Sequence, residues 1–237
     1  MTARLLKIVN SAFYSFPNKI ETISRAVTIV GTQQLRDLAL ATSVMKLFQG
    51  IPADLMNMEA FWRHSIACGV TARVLATYRR EANVERFFVS GILHDIGRLV
   101  LCMKSPDWMR AALDRCQSQR ELLYRVEYEE LGFDHASVGR YLLQNWKLPA
   151  SLEETVAFHH NPDAATRYPV ETAVIHVADI ISHAMELGRS GELFVPPLNE
   201  QAWDRIHVAP NQLAGILEQV DRQYREAVEW MAPGTSK

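Results

Sequence analysis

VERFFVSGILHDIGRLVLCM, residues 84–103, is apolar on nearly every side. A helix that is hydrophobic all round belongs at the centre of a fold, so this stretch predicts one core helix with the rest of the chain packed about it. His94 and Asp95 stand side by side in its middle. Burying both costs free energy unless each finds a partner, so the pair is either a packing remnant satisfied by hydrogen bonds or part of a metal site. Neighbours on a helix diverge by about 100°. The two therefore cannot point squarely at one ion but can straddle two, with Asp95 as a bridge.

Outward from this helix, apolar residues recur at three-to-four spacing and period-two alternation is missing, which predicts an all-α chain. Upstream, MEAFWRHSIACGVTARVLATYRR (58–80) reads as a second long helix. Thr32 after Gly31 is placed to cap QQLRDLALATSVMKLF (33–48), whose Leu35, Leu38, Thr42, Met45 and Leu47 lie mostly on one side before Gly50 and Pro52 break it. Downstream, Asp134 is placed to cap HASVGRYLLQNW (135–146), and Ser151 with Glu154 makes a capping-box pattern opening LEETVAFHH (152–160), which Asn161–Pro162 stops. VETAVIHVADIISHAMEL (170–187) reads as amphipathic up to Gly188, and RSGELFVPPLNE (189–200) as a linker-like loop. A last helix runs from about Asn211 to Met231, and APGTSK (232–237) is expected to fray.

The 237 residues are 48% hydrophobic, ample for a core, with a first boundary at Gly50–Pro52. With 25 basic against 27 acidic residues, the net charge of −2 argues against nucleic acid or an anionic membrane as partner. Cys68, Cys102 and Cys116 form no C-x-x-C and read as small packing residues of a protein in a reducing cytoplasm. There is neither a secretory h-region nor a run of about 18 apolar residues, so a soluble, unsecreted protein is expected. SRAVTIVGTQQLRDLALA (24–41) has the helix, glycine turn, helix order of a DNA reader, but its second helix offers only Gln33, Gln34 and Arg36 before turning apolar. A packing hairpin is the better reading. The Met and aromatic residues of AFYSF (12–16) and MNMEAFW (56–62) read as core or interface.

Of the eight histidines, His64, His94, His135, His159 and His160 each fall in a predicted helix or at its end. Taken singly, each is an ordinary surface or hydrogen-bonded core residue. Taken with Asp95 and a later carboxylate, best placed at Asp179, they suit iron, manganese or zinc, one ion or two, and could activate a bridging water against a phosphoryl group. His159 and His160 close a helix, where adjacent imidazoles converge more easily than in mid-helix. Arg98, one turn after His94, either holds a phosphate oxygen or pairs with Asp95; the i,i+3 pair needs no ligand to explain it. His176 and His183 flank Asp179 at i−3 and i+4 and read as surface or hydrogen-bonding residues, and His207 has no partner pattern.

RLLKIVNSAFYSFPNKIETISRAVTIVGTQQLRDLALATSV, followed in order by GILHDIGRLVL, DHASVGRYLLQNWKLP and AFHHNPD, resembles the HDOD domain, a bacterial signalling module related to the HD and HD-GYP metal-dependent phosphohydrolases. The resemblance runs from about residue 3 to about residue 190. It implies a two-lobed helical architecture, with residues 1–52 a partial N-terminal lobe and 53–237 an HD-like lobe. It also gives His64, His94, Asp95, His135, His159, His160 and Asp179 counterparts in the HD metal motif. The family acts mostly as an output or scaffolding part of signal transduction, so signalling proteins or domains are the implied partners. A nucleotide ligand and self-association stay open. The alternative is a working dinuclear phosphohydrolase acting on a nucleotide or nucleotide second messenger, and a third reading is a sensor whose lobe packing responds to occupancy. Two departures weigh against cyclic-di-GMP hydrolysis: Arg98 stands where active HD enzymes commonly carry lysine, and the GYP loop is missing. The resemblance starts inside the family's N-terminal lobe, so helices preceding TARLLKIVN are expected to be absent here.

Overall fold

The stretch 85–104 is two helices, not one. In the computed structural model, which describes residues 6, 9–10, 19–45, 47–48 and 50–231, α4 (Glu85–Leu93) ends before His94 and α5 (Ile96–Lys104) begins after Asp95. Asp95 leaves helical geometry at φ −97°, ψ 8°, and its carbonyl accepts the Arg98 N–H at 2.9 Å to start the next helix. The cause lies in tertiary packing. Gly97 presses its backbone onto α8 (His135–Asn145), so that a Cβ there would collide with the His135 carbonyl oxygen and meet the Gly139 nitrogen at 2.7 Å. Bringing the two backbones this close re-aims the chain at the one point where two polar side chains need to face the same way.

Every regular element among the described residues is helical. Before the central pair come α1 (Ile23–Val30), α2 (Thr32–Val44) and α3 (Met58–Tyr78); after it come α6 (Pro106–Gln119), α7 (Leu123–Leu131), α8, α9 (Ala150–Phe158), α10 (Pro169–Ala184), α11 (Glu200–Ile206) and α12 (Leu213–Met231). The long α3 is the hub: it packs against α4, α10 and α12, while α5 lies on α8, and α9 bridges α8 and α10. Asn57 caps α3 by accepting the Ala60 N–H at 3.0 Å, and Asp134 caps α8 by accepting the Ser137 N–H at 2.8 Å. α1 and α2 form a hairpin whose Leu35 and Leu38 are buried, with α2 against α4. Met56, Phe61 and Trp62 are core residues.

The structure corrects four sequence readings. α2 ends at Val44, and Leu47 is 62% exposed instead of sharing the buried side. The Ser151–Glu154 capping box is not made: Pro149 occupies the cap, and the Glu154 carboxylate instead accepts the Thr166 and Arg167 N–H groups at 2.6 and 2.9 Å. α10 is not amphipathic in its middle, since every residue from Thr172 to Asp179 is buried; it is wrapped by α3, α9 and α11. The segment 189–199 is a loop, as expected, but it is anchored to the core and is no linker. Arg189 donates its N–H to the Ala60 carbonyl at 3.0 Å, Ser190 and Glu192 are buried, and Glu192 accepts the Leu123 N–H at 2.8 Å. AFYSF and APGTSK lie outside the described residues.

Candidate metal centre

Five elements aim their polar side chains at one buried point. α3 supplies His64, the break between α4 and α5 supplies His94 and Asp95, and the first residue of α8 supplies His135. The end of α9 supplies His159 and His160, and α10 supplies Asp179 and His183. All seven ligands expected from the sequence meet here. His64, His94, His135 and His159 are 0% exposed and Asp95 is 1% exposed, while His160 is half-buried at the edge.

The donors fall on two sides of Asp95, with His64 shared by two triads on one of them. On one side, Asp95 Oδ1 lies 3.0 Å from His135 Nε2 and 3.7 Å from His159 Nε2, and His160 Nε2 is 3.0 Å from His135 Nε2. On the other, Asp95 Oδ2 lies 3.3 Å from His94 Nε2, and Asp179 Oδ1 lies 2.9 Å from His64 Nε2 and 3.4 Å from each of His94 and His183 Nε2. Donors bound at about 2.0–2.2 Å to a common ion stand roughly 2.8–3.6 Å apart at octahedral or tetrahedral angles. The observed spacings fall in that range except His159 to Asp95, which is 3.7 Å.

The outer edges of the rings fix which nitrogen faces inward. His94 Nδ1 is 2.7 Å from the Gly91 carbonyl and His159 Nδ1 2.8 Å from the Val156 carbonyl. A carbonyl only accepts, so each Nδ1 carries a proton and each ring turns its Nε2 on the cluster. His135 is held more strongly: Glu127, 0% exposed, sits 2.6 Å from its Nδ1 and also accepts its backbone N–H at 2.8 Å. Inside, His94 Nε2, His159 Nε2 and both Asp95 oxygens are buried without a well-aligned hydrogen bond. Such groups are costly to bury unpaired, and divalent cations, one in each donor group, would satisfy them.

Charge points the same way. Asp95, Glu127, Asp179 and Glu192 are buried around the cluster, and Arg98 is the one buried guanidinium facing them among the described residues. Burial lowers the His135 pKa, but Glu127 and Asp95 outweigh it and bring it up to about 9. His94, likewise opposed by burial, is held well above the usual imidazole range by Asp95. The site draws in positive charge, as protons or as metal. In contrast, burial pushes His160 well below the usual range and His183 down to about 4, which keeps both rings neutral.

Arg98 is 1% exposed and its Nη1 is spent: 3.3 Å from Asp95 Oδ2, 2.6 Å from the Ser190 hydroxyl and 3.2 Å from the Ser190 carbonyl. The intrahelical pair expected from its spacing is made. His176, from the face before Asp179, does not enter the cluster; it donates from Nδ1 to the His159 carbonyl at 2.8 Å and accepts the Asn199 N–H at Nε2, 3.0 Å away. His207 is exposed and ends α11. Sequence reasoning passed over His183, although its i+4 spacing from Asp179 places both on one face of α10. Glu127 and Ser190 gave no such signal.

A family model, HDOD domain, matches residues 1–162. The chain belongs to the HDOD domain family. An uncharacterized protein of Treponema pallidum (strain Nichols) is 30% identical over 169 residues, which are 69% of this chain and 32% of that protein. The HDOD chain thus spans about a third of the length of that relative. Among solved structures, an HDOD domain protein of unknown function from Geobacter sulfurreducens superimposes with a TM-score of 0.78 at 23% identity, covering 96% of this chain and 80% of the other. Two proteins of Shewanella amazonensis SB2B follow the same fold. One, named "Putative phosphohydrolase", has a TM-score of 0.73 at 25% identity over 98% of this chain and 82% of its own. The other, named "Putative metal-dependent phosphohydrolase", has 0.66 at 19% identity over 95% and 80%. The matched HDOD range carries five of the cluster's histidines and Asp95; Asp179 and His183 lie beyond it on α10. No helix among the described residues is long and apolar enough to cross a membrane.

Proposed function

We propose that this chain is a signalling module of the HDOD type that holds one or two divalent ions in its His/Asp cluster and acts through contacts with other proteins, not by turnover. The observation that carries this reading is the enclosure of the cluster: its unpaired donors face one another at 0–1% exposure, and Arg98 Nη1 is committed to Asp95 and Ser190. A metal ion explains donors that nothing else satisfies. A phosphoryl substrate, however, would have to reach a point that the surrounding helices cover. His64, His94, Asp95 and Asp179 would hold one ion, and Asp95, His135, His159 and His160 the other. Such ions, when bound, act as Lewis acids toward a phosphoryl oxygen and acidify a bound water. Glu127 and the Gly91 and Val156 carbonyls orient the rings, and Arg98 keeps the Asp95 carboxylate ionised.

A second reading, a dinuclear phosphohydrolase, is favoured by the position of Asp95, whose two oxygens face different donor groups; the name of one Shewanella relative belongs to the same class. Manganese- or iron-loaded protein offered a phosphodiester such as a cyclic dinucleotide separates the two. The signalling reading expects no turnover above that of Asp95→Ala. Hydrolysis that Asp95→Ala abolishes would establish the enzyme instead.

A further inference from the structure

The family resemblance carries ligands only as far as Asp179, yet a further imidazole reaches the same oxygen. His183 Nε2 lies 3.4 Å from Asp179 Oδ1, and its ring centroid is 4.3 Å from that of His64, tilted by 43°. Nε2 of His64 approaches the same Asp179 oxygen at 2.9 Å. The nitrogens of His64 and His183 and this oxygen form a triad with ligand-to-ligand spacing, and the His183 side chain is only 8% exposed. Its place follows from the backbone: four residues after Asp179, on one face of a helix that the core surrounds.

We propose that His183 is a metal ligand that adds a protein donor, beside His64 and Asp179, to an ion on the His64 side. This inference rests on the metal reading above and deepens it. On the His64 side, His64, Asp179 and His183 form one triad and His64, His94 and Asp95 another, so His183 brings the imidazoles there to three. The other side has three as well, His135, His159 and His160, with Asp95. Structural metal sites are saturated by protein donors, whereas catalytic ones keep an open position. The extra nitrogen therefore favours retention over turnover. It also shifts preference from manganese toward zinc and other metals that favour imidazole.

Manganese is the probe, because water relaxation counts the waters on the bound ion. Manganese affinity and water-proton relaxivity are measured for the parent, for His183→Ala, and for His207→Asn, a control at an exposed histidine outside the cluster. The expected result is weaker manganese binding by about tenfold or more in His183→Ala, with higher relaxivity per bound ion as a water replaces the imidazole, and His207→Asn binding like the parent. A second variant, His183→Gln, tests against simple misfolding: it should melt near the parent in the metal-free state and still show the raised relaxivity. Unchanged affinity and relaxivity in His183→Ala, with the parent loaded, would overturn the role of His183 alone. A parent that binds no manganese or zinc would overturn the metal reading and this inference with it.

Discussion

The side chains that matter most are those that burial leaves with something unpaid. Asp95 faces imidazole nitrogens from both groups and the Arg98 guanidinium, yet neither of its oxygens has a well-aligned hydrogen bond. Removing Arg98 would leave that carboxylate, with Asp179 and Glu127 close by, without its one permanent cation. Breaking a buried pair from one side typically costs about 3–5 kcal/mol. Arg98→Ala should therefore lose stability on that scale in urea unfolding of the metal-free protein; a loss under about 1 kcal/mol would mean that the pair is not a buried charge contact. Glu127 makes a second expectation. Glu127→Gln keeps an oxygen for both His135 N–H groups but removes the charge behind the ring, and metal affinity should fall about 10–100-fold, as for other carboxylates standing behind a ligand histidine. Affinity equal to the parent would leave Glu127 as no more than an anchor for the start of α8.

At the scale of elements, most helices were legible from their periodicity. Of the expected caps only Asp134 is made, accepting the Ser137 N–H; Thr32 lies inside its helix, which Gly31 precedes, and Pro149 displaces the Ser151–Glu154 box. Replacing Asp134 with Ala should cost about 1 kcal/mol, read as a shift in the unfolding midpoint. The break at His94–Asp95 was not legible, because local pattern favours helix through it and only the approach of α8 to Gly97 interrupts it. The glycine is therefore the sequence trace of a contact made elsewhere in the chain. In Gly97→Ala the methyl group would fall on the His135 carbonyl, which is backbone and cannot step aside, so both stability and metal content should drop. A variant that melts and binds metal like the parent would refute the account of the break. The same logic explains the segment 189–199: its Gly, Pro and Ser content reads as a linker, but Ser190 and Glu192 carry partners that only the folded chain brings near.

For the molecule as a whole, the order of histidines along the sequence already contained the candidate centre, since His64, His94, His135, His159 and His160 arrive from four helices and their ends at one point. What spacing did not reveal is what stands behind them: Glu127 and Ser190 enter through tertiary contacts, Ser190 reaching Arg98 across 92 residues, while His183 is marked by its i+4 spacing from Asp179 but reads as an ordinary histidine. The buried surplus of carboxylates makes the fold and its occupancy one equilibrium, because ligand bound to the native state alone raises stability with the ratio of its concentration to the dissociation constant. Protein stripped with a chelator should melt several degrees lower than loaded protein, and His94→Ala should abolish the difference. The most direct test of the central claim is elemental analysis of the chain purified without added metal, beside His94→Ala prepared identically. The account predicts one or two equivalents of a first-row divalent metal in the parent and a large loss in the variant; a folded parent that carries none and takes up none from zinc or manganese would contradict it.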